Sequence, residues 1–266
     1  MSVAASATRA TARLRHRRSA RRLSEGQLAA FREAIAKAQA IGDDRGYQYW
    51  AGIHGLPLPY YCQHGSESQI FLPWHRAYLY FFEKALQDLV PGVTLPWWDW
   101  RDHSEPLPAA YDRARTEERK KNPLASSPIQ ATGRRQSSED RTWRQPGNPS
   151  ALPGREQLRQ VRRNRDFLTF QNQLESLHNG VHMWVGGTMA DVRTAAYDPI
   201  FWAHHCMIDR IWYLWQLDHP GARLPAGYLD LALPPFEMTV RETLDTTALG
   251  YDYAAGTVAV SGTRRA

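Results

Sequence analysis

Hydrophobic positions recur at helical spacing in five stretches of this 266-residue chain, separated by polar or Pro/Gly-rich segments. In the first, Leu28, Phe31, Ile35 and Ala38 stand three or four apart, the period that lines up one face of a helix. Ser24 with Gln27 three residues later is a capping-box signature, so a helix is expected over 24–41. Residues 45–54, RGYQYWAGIH, read as a short amphipathic helix that Gly55 and Pro57 end. A third helix is expected over 73–90, with Pro73 at its start, where the missing N–H is harmless, and His75 in its first turn. The fourth spans 165–184 and stops at Gly186-Gly187; the fifth spans 199–217 and buries Phe201, Ile208, Ile211 and Leu214. The pattern predicts a mostly α fold: a four-helix bundle of 45–54, 73–90, 165–184 and 199–217, with 24–41 packed outside, long loops and few short strands.

Between these stretches, Leu95–Trp100 (LPWWDW) reads as an extended aromatic segment. Residues 101–165 are polar, rich in Pro, Ser, Gly and Arg, and read as one long surface excursion. The expected organisation is a basic N-terminal arm, 1–22, one domain, 23–253, and a C-terminal tail, 254–266. There is no internal repeat, and no apolar run approaches the roughly 20 residues of a membrane span.

The candidate chemistry lies in the histidines. His178 and His182 stand four apart on a predicted helix, so both imidazoles leave one face and suit a single metal. His204 and His205 follow on the next helix; they point about 100° apart, so one of the two is expected to join that metal. Upstream lie His54, His64 and His75, with Cys62 two residues before His64. So many histidines in apolar segments would leave ring nitrogens unpaired unless they share a partner. All-imidazole sites suit Cu, Zn, Fe or Ni. The H-E-x-x-H pattern of zinc proteases is absent. Glu175-Ser176-Leu177-His178 is one Glu-x-x-His motif, but a di-iron bundle needs two. Two three-histidine clusters without carboxylates point instead to paired copper.

Charge adds little to this picture. The formal net charge is +6, with seven Arg and no acid in residues 1–22 and fourteen Lys/Arg against five Asp/Glu in 113–165. No nucleic-acid motif accompanies these basic stretches, so solvated segments are the preferred reading and a nucleic-acid partner is not expected. Two cysteines cannot build a disulfide framework. The arginines of the first segment precede no apolar h-region, so a cytoplasmic location is expected.

HNGVHMWVGG (178–187), DPIFWAHHCMIDRIW (198–212), FLPWHR (71–76) and LPWWDW (95–100) together resemble the coupled binuclear (type 3) copper proteins: tyrosinases, catechol oxidases and related polyphenol oxidases. The form most similar is a short bacterial one without a C-terminal lid domain. The resemblance implies two copper ions, the first held by His54, His64 and His75, the second by His178, His182 and His205. The later member of the histidine doublet is the implied ligand, which leaves His204 a neighbour. It further implies O2 and a small phenol as substrates, with o-diphenols oxidised to o-quinones and monophenols first hydroxylated. Glu175 and Asn179 resemble the residues that hold a water to accept the phenol proton. Phe201 resembles a wall of the substrate pocket, Val192 the gate over the first copper, and Asp209-Arg210 a structural pair. Arg17 and Tyr251-Asp252-Tyr253 resemble the pair that ties the chain ends together.

The sequence departs from this pattern in two places. The spacing from His64 to His75 is longer than in several bacterial tyrosinases, and Met183 stands where some carry Arg, which weakens the expectation of a monophenol preference. An o-aminophenol oxidase yielding quinone imines is a close alternative, and an oxygen-binding haemocyanin-like protein a more distant one. Val192 and the short distance from Tyr253 to the chain end argue for the enzyme. A separate copper-delivery partner is compatible with the sequence, and nothing in it sets the oligomeric state. Cys62 and His64 are spaced as in relatives with a thioether link. After copper loading, a peptide spanning both should weigh two hydrogens less than its sequence mass; complete alkylation of Cys62 in active protein would exclude the link.

Overall fold

The computed structural model describes residues 14–57, 69–129 and 141–253. Cys62 and His64, and the tail 254–266, lie outside the described residues. Among the described residues eight α-helices are formed: α1 (Glu25–Ala40), α2 (Tyr47–His54), α3 (Phe71–Leu89), α4 (Ala109–Asp112), α5 (Arg155–Arg163), α6 (Phe167–Val185), α7 (Ile200–Asp218) and α8 (Val240–Thr243). The strands β1 (Arg15–Arg17) and β2 (Tyr251–Tyr253) pair in parallel. The mostly helical expectation holds. None of the described helices is long and apolar enough to cross a membrane.

The local signals act as their chemistry requires. Ser24 Oγ accepts from the Gln27 N–H (3.2 Å) while Gln27 Oε1 accepts from the Ser24 N–H (3.0 Å), closing the capping box of α1. α3 begins two residues earlier than Pro73, which therefore sits in the first turn, where no intrahelical N–H bond is lost. One orphan donor of that turn, the Leu72 N–H, is met by Gln171 Oε1 of α6 at 3.2 Å. The first half of α3 is buried nearly all round, Phe71 to Leu79, because α1, α6 and α7 all pack against it. α6 and α7 meet through rings: Phe170 stacks on Trp215 at 4.8 Å, and Phe167 touches Trp212 and Trp215.

The arm and the long excursion need correction. Residues 15–22 are not a solvated arm: Arg17 is fully buried, and the Ala20 N–H donates to Trp97 O (2.8 Å) of the extended aromatic segment. Residues 101–165 are not all surface. They contain α4 and α5, and they bury Tyr111, Leu124, Leu152 and Leu158. Residues 143–147 seal the end of α6: the Gln145 and Gly147 N–H groups donate to the carbonyls of Val185 and Trp184 at 2.9 and 2.8 Å. That approach explains Gly186-Gly187. Both have positive φ, and a Cβ would lie 2.6 Å from Gln145 O or 2.3 Å from Trp143 O. Arg144 of the same stretch grips the buried Asp198 carboxylate just before α7, Nε to both oxygens and Nη2 to one at 2.6 Å.

A buried ionic cluster joins both chain ends to the bundle. Asp209 of α7 receives Arg76 Nε of α3, Arg17 Nη1 (3.3 Å) and the hydroxyls of Tyr251 (2.8 Å) and Tyr253. Arg17 Nε also donates to Glu83 Oε2 at 2.9 Å, and its guanidinium lies 3.7 Å from the Tyr251 ring centre. Arg210 does not pair with Asp209; it lies over the Trp97 ring. Burial alone would raise the Asp209 carboxyl, but Arg76, Arg17 and the Tyr253 hydroxyl together hold it below its usual range. Asp209→Asn strips both arginines of their shared charge and is expected to cost about 3–5 kcal/mol at neutral pH, read by urea unfolding. A depressed carboxyl lends stability above its unfolded pKa of about 3.9, and that stability fades as pH falls through the lower folded value. The gap between parent and variant should therefore narrow below about pH 4; a gap unchanged into stronger acid would mean that the charge on Asp209 is not what stabilises.

Candidate metal centre

Helix ends and turns bring the histidines together. His54 closes α2, where Gly55 lets the chain pass the Arg193 backbone; a Cβ at Gly55 would lie 2.3 Å from Arg193 O. His75 lies one turn into α3, His178 and His182 on successive turns of α6, and His204 and His205 in the second turn of α7. All six are buried.

Four of these rings are held at Nδ1, which presents Nε2 to the interior. His54 Nδ1 lies 3.0 Å from Val192 O, His75 Nδ1 2.9 Å from Phe71 O, and His182 Nδ1 2.9 Å from Met189 O. His178 Nδ1 lies 3.0 Å from Asn179 Oδ1. Such outer contacts set ring orientation and tautomer at metal sites. The Nε2 atoms of His178 and His182 converge on His205 Nε2 at 3.1 and 3.4 Å.

Among the described residues two groups have ligand atoms mutually within 4.8 Å: His178, His182, His204 and His205, and His54, His75 and His205. His178 and His182, one helical turn apart, fall in one group and His54 and His75, from α2 and α3, in the other; His64 lies outside the described residues. His205 reaches both groups, its ring stacked on His75 at 4.3 Å. His204 is drawn closer than a mere neighbour: its ring stacks on His178 at 5.0 Å, backed by Trp98 and Trp100. Burial first, and then the surrounding imidazoles, pushes the pKa of both His204 and His205 well down, so both are neutral and able to ligate. An all-imidazole donor set with a buried, neutral third ring fits copper.

Above His178 and His182 an open cavity of about 270 Å³ is lined further by Asn179, Met183, Met189, Ala190 and Val192. Met183 (65% exposed) and Val192 (37%) stand at its mouth. Phe201 is not part of this lining. It is fully buried between the histidine groups, 4.7 Å from the His54 ring and 4.2 Å from the His205 ring. Glu175 is buried one turn before His178, whereas Asn179 is exposed. Sequence reasoning missed Met189 and Ala190, which follow the Gly186-Gly187 turn, and the carbonyls that hold the rings; backbone acceptors carry no residue signature.

Residues 44–218 match the family model for the common central domain of tyrosinase. A tyrosinase from Streptomyces glaucescens is 34% identical over 64% of this chain and 69% of its own length. The chain belongs to the tyrosinase family. The G-type hemocyanin of Enteroctopus dofleini, units Oda to Odg, is 32% identical over 88% of this chain, and the chain spans only 8% of that protein's length. A functional unit of octopus hemocyanin superposes with a TM-score of 0.78 at 29% identity, over 91% of this chain and 68% of that one. Membership of this tyrosinase-type copper oxidase family makes a type 3 pair of copper ions the cofactor, and the buried histidines are of the right kind to bind it.

Asn179 touches the ring of His178 and lies in solvent otherwise, so its replacement should leave the fold intact. Asn179→Ala is expected to lower copper affinity or activity by about 10–100-fold, measured by competitive copper titration. Unchanged affinity and activity would mean that the Oδ1 contact does not orient His178.

Proposed function

We propose that this chain is a copper-dependent oxidase of small phenols, using O2 to convert o-diphenols to o-quinones and monophenols after ortho-hydroxylation. The observation that carries the reading is the open cavity over His178 and His182. An apolar cavity of roughly 150 Å³ already accepts benzene, so about 270 Å³ admits one substituted aromatic ring. In this reading His54, His64 and His75 hold the first copper and His178, His182 and His205 the second, with His204 buttressing His178. When bound, the copper pair supplies the redox chemistry with O2.

The chain's own residues supply position and proton handling. The carbonyls of Val192, Phe71 and Met189 hold three of the imidazoles in one tautomer. Met183, Met189 and Val192 give the substrate ring an apolar seat. A phenol keeps its proton at neutral pH, since its pKa is near 10 as for Tyr. The Glu175 carboxylate and the Asn179 amide hold a water that takes this proton; the Oδ1 contact to His178 leaves Asn179 its amide hydrogens and a second lone pair for it. An o-diphenol is more acidic and depends less on this device. An o-aminophenol would use the same face of the site.

The hemocyanin relatives favour a second reading, an oxygen carrier. Copper-loaded protein should consume O2 with catechol at a kcat in the usual enzyme range of about 1–10³ s⁻¹. Glu175→Gln should depress monophenol turnover more than diphenol turnover, by up to about 10²–10⁴-fold. Reversible O2 binding without product would replace the oxidase by the carrier. One metal per chain, or activity that follows iron or zinc, would overturn the copper assignment.

A further inference from the structure

A basic cluster lies away from the histidines. α5 carries Arg155, Arg159, Arg162 and Arg163, and Arg165 follows before α6. The C-terminal ends of α5 and α7 enclose a second cavity, about 400 Å³, lined by Arg159, Arg162, Arg163, Arg165, Asp218 and His219. His178 lies eleven residues beyond Phe167, roughly 17 Å along α6, so this cavity is separate from the one over the metal centre. Cations in a last helical turn complement the helix dipole, which accounts for Arg162 and Arg163 being on α5. It does not account for a concave wall of four guanidiniums.

Counter-charge within the cavity is short. Arg162 pairs with Asp218, and Arg159 with Glu156. Among the described residues, no ion pair or hydrogen bond engages the Arg163 or Arg165 guanidinium. Arg162 Nε is buried and has no acceptor, although its Nη2 donates to Asp218. Arg210 of α7, whose Nε and Nη1 also lack acceptors, lies over the Trp97 ring and does not line this cavity. Buried guanidinium donors without acceptors are costly, and a nearby oxyanion relieves them. His219 is a ready-made part of the wall: its Nδ1 lies 3.0 Å from Trp215 O and its ring rests on Trp215.

We propose that the α5–α7 cavity binds a small phosphorylated anion, with Arg162, Arg163 and Arg165 as the guanidinium donors. Planar guanidiniums match phosphate oxygens in pairs, and a cavity of this size holds a diphosphate rather than a flat polymer. The site does not depend on the copper chemistry, so its test stands apart from the oxidase reading.

The test uses the copper-loaded full chain at low, matched ionic strength, titrated calorimetrically with inorganic diphosphate, orthophosphate and sulfate. One saturable site is expected, with diphosphate at least about tenfold tighter than sulfate. The Arg163→Ala, Arg165→Ala double variant should weaken diphosphate binding at least about tenfold. Both side chains are exposed, so the variant should keep its melting temperature and copper content; if it does not, Arg165→Gln alone is the readout. Asp218→Asn, which removes the competing carboxylate, should tighten binding. Equal affinity for diphosphate and sulfate, or a double variant that binds like the parent, would reduce the cavity to a generally basic surface and overturn the proposal. No binding at millimolar diphosphate would overturn it too.

Discussion

Arg76 and Asp209 face each other across the interface of α3 and α7, deep enough that neither charge reaches water. Arg76 is the residue after His75, and Asp209 lies one turn beyond His205. The ion pair therefore sets the register of the two helices that carry these rings, and the His75–His205 stack at 4.3 Å follows from it. Such a pair is a poor source of net stability, because desolvation offsets most of its attraction. Its value here is geometric: a slip of either helix would strand a buried charge. Arg17, Tyr251 and Tyr253 complete the coordination of Asp209, so the parallel pairing of β1 with β2 depends on the same carboxylate.

A second constraint comes from the polar stretch between the histidine-bearing halves. Its arginines and backbone donors finish the ends of helices rather than forming a core of their own. Residues 143–147 meet the last carbonyls of α6, and Arg144 meets Asp198 before α7. They hold the turn at Gly186-Gly187, and with it Met189, whose carbonyl orients His182 and whose side chain lines the cavity. The mouth of the metal centre is thus shaped by a segment that contributes no ligand.

Much of the architecture was legible in the linear pattern. Period and caps located α1, α2, α3, α6 and α7 to within a residue or two, because a buried helical face needs apolar residues every third or fourth position. The pairing of His178 with His182 followed from one helical turn, a purely local relation. In composition alone residues 15–22 read as a solvated arm, because Arg17 is a free charge until Glu83 and Asp209, 66 and 192 residues away, are brought to it; only the resemblance singled it out as the partner of Tyr251–Tyr253, which it contacts. The structured parts of 101–165 were missed for the same reason, since helix-end caps and ion pairs use the residue types that loops use.

The sequence by itself determined the helices, the count of imidazoles they carry and which of them share a face, because these depend on neighbours within about one turn. Only the tertiary structure decided that His205 lies within reach of both groups and that His204 stacks on His178. It likewise put Phe201 between the groups instead of at the cavity wall, and made the carbonyl of Val192, 138 residues away, the partner of His54. Those outcomes depend on how one helix is rotated and shifted against another, and that is set by the packing of α3, α6 and α7 around buried charge, where no local period carries the information.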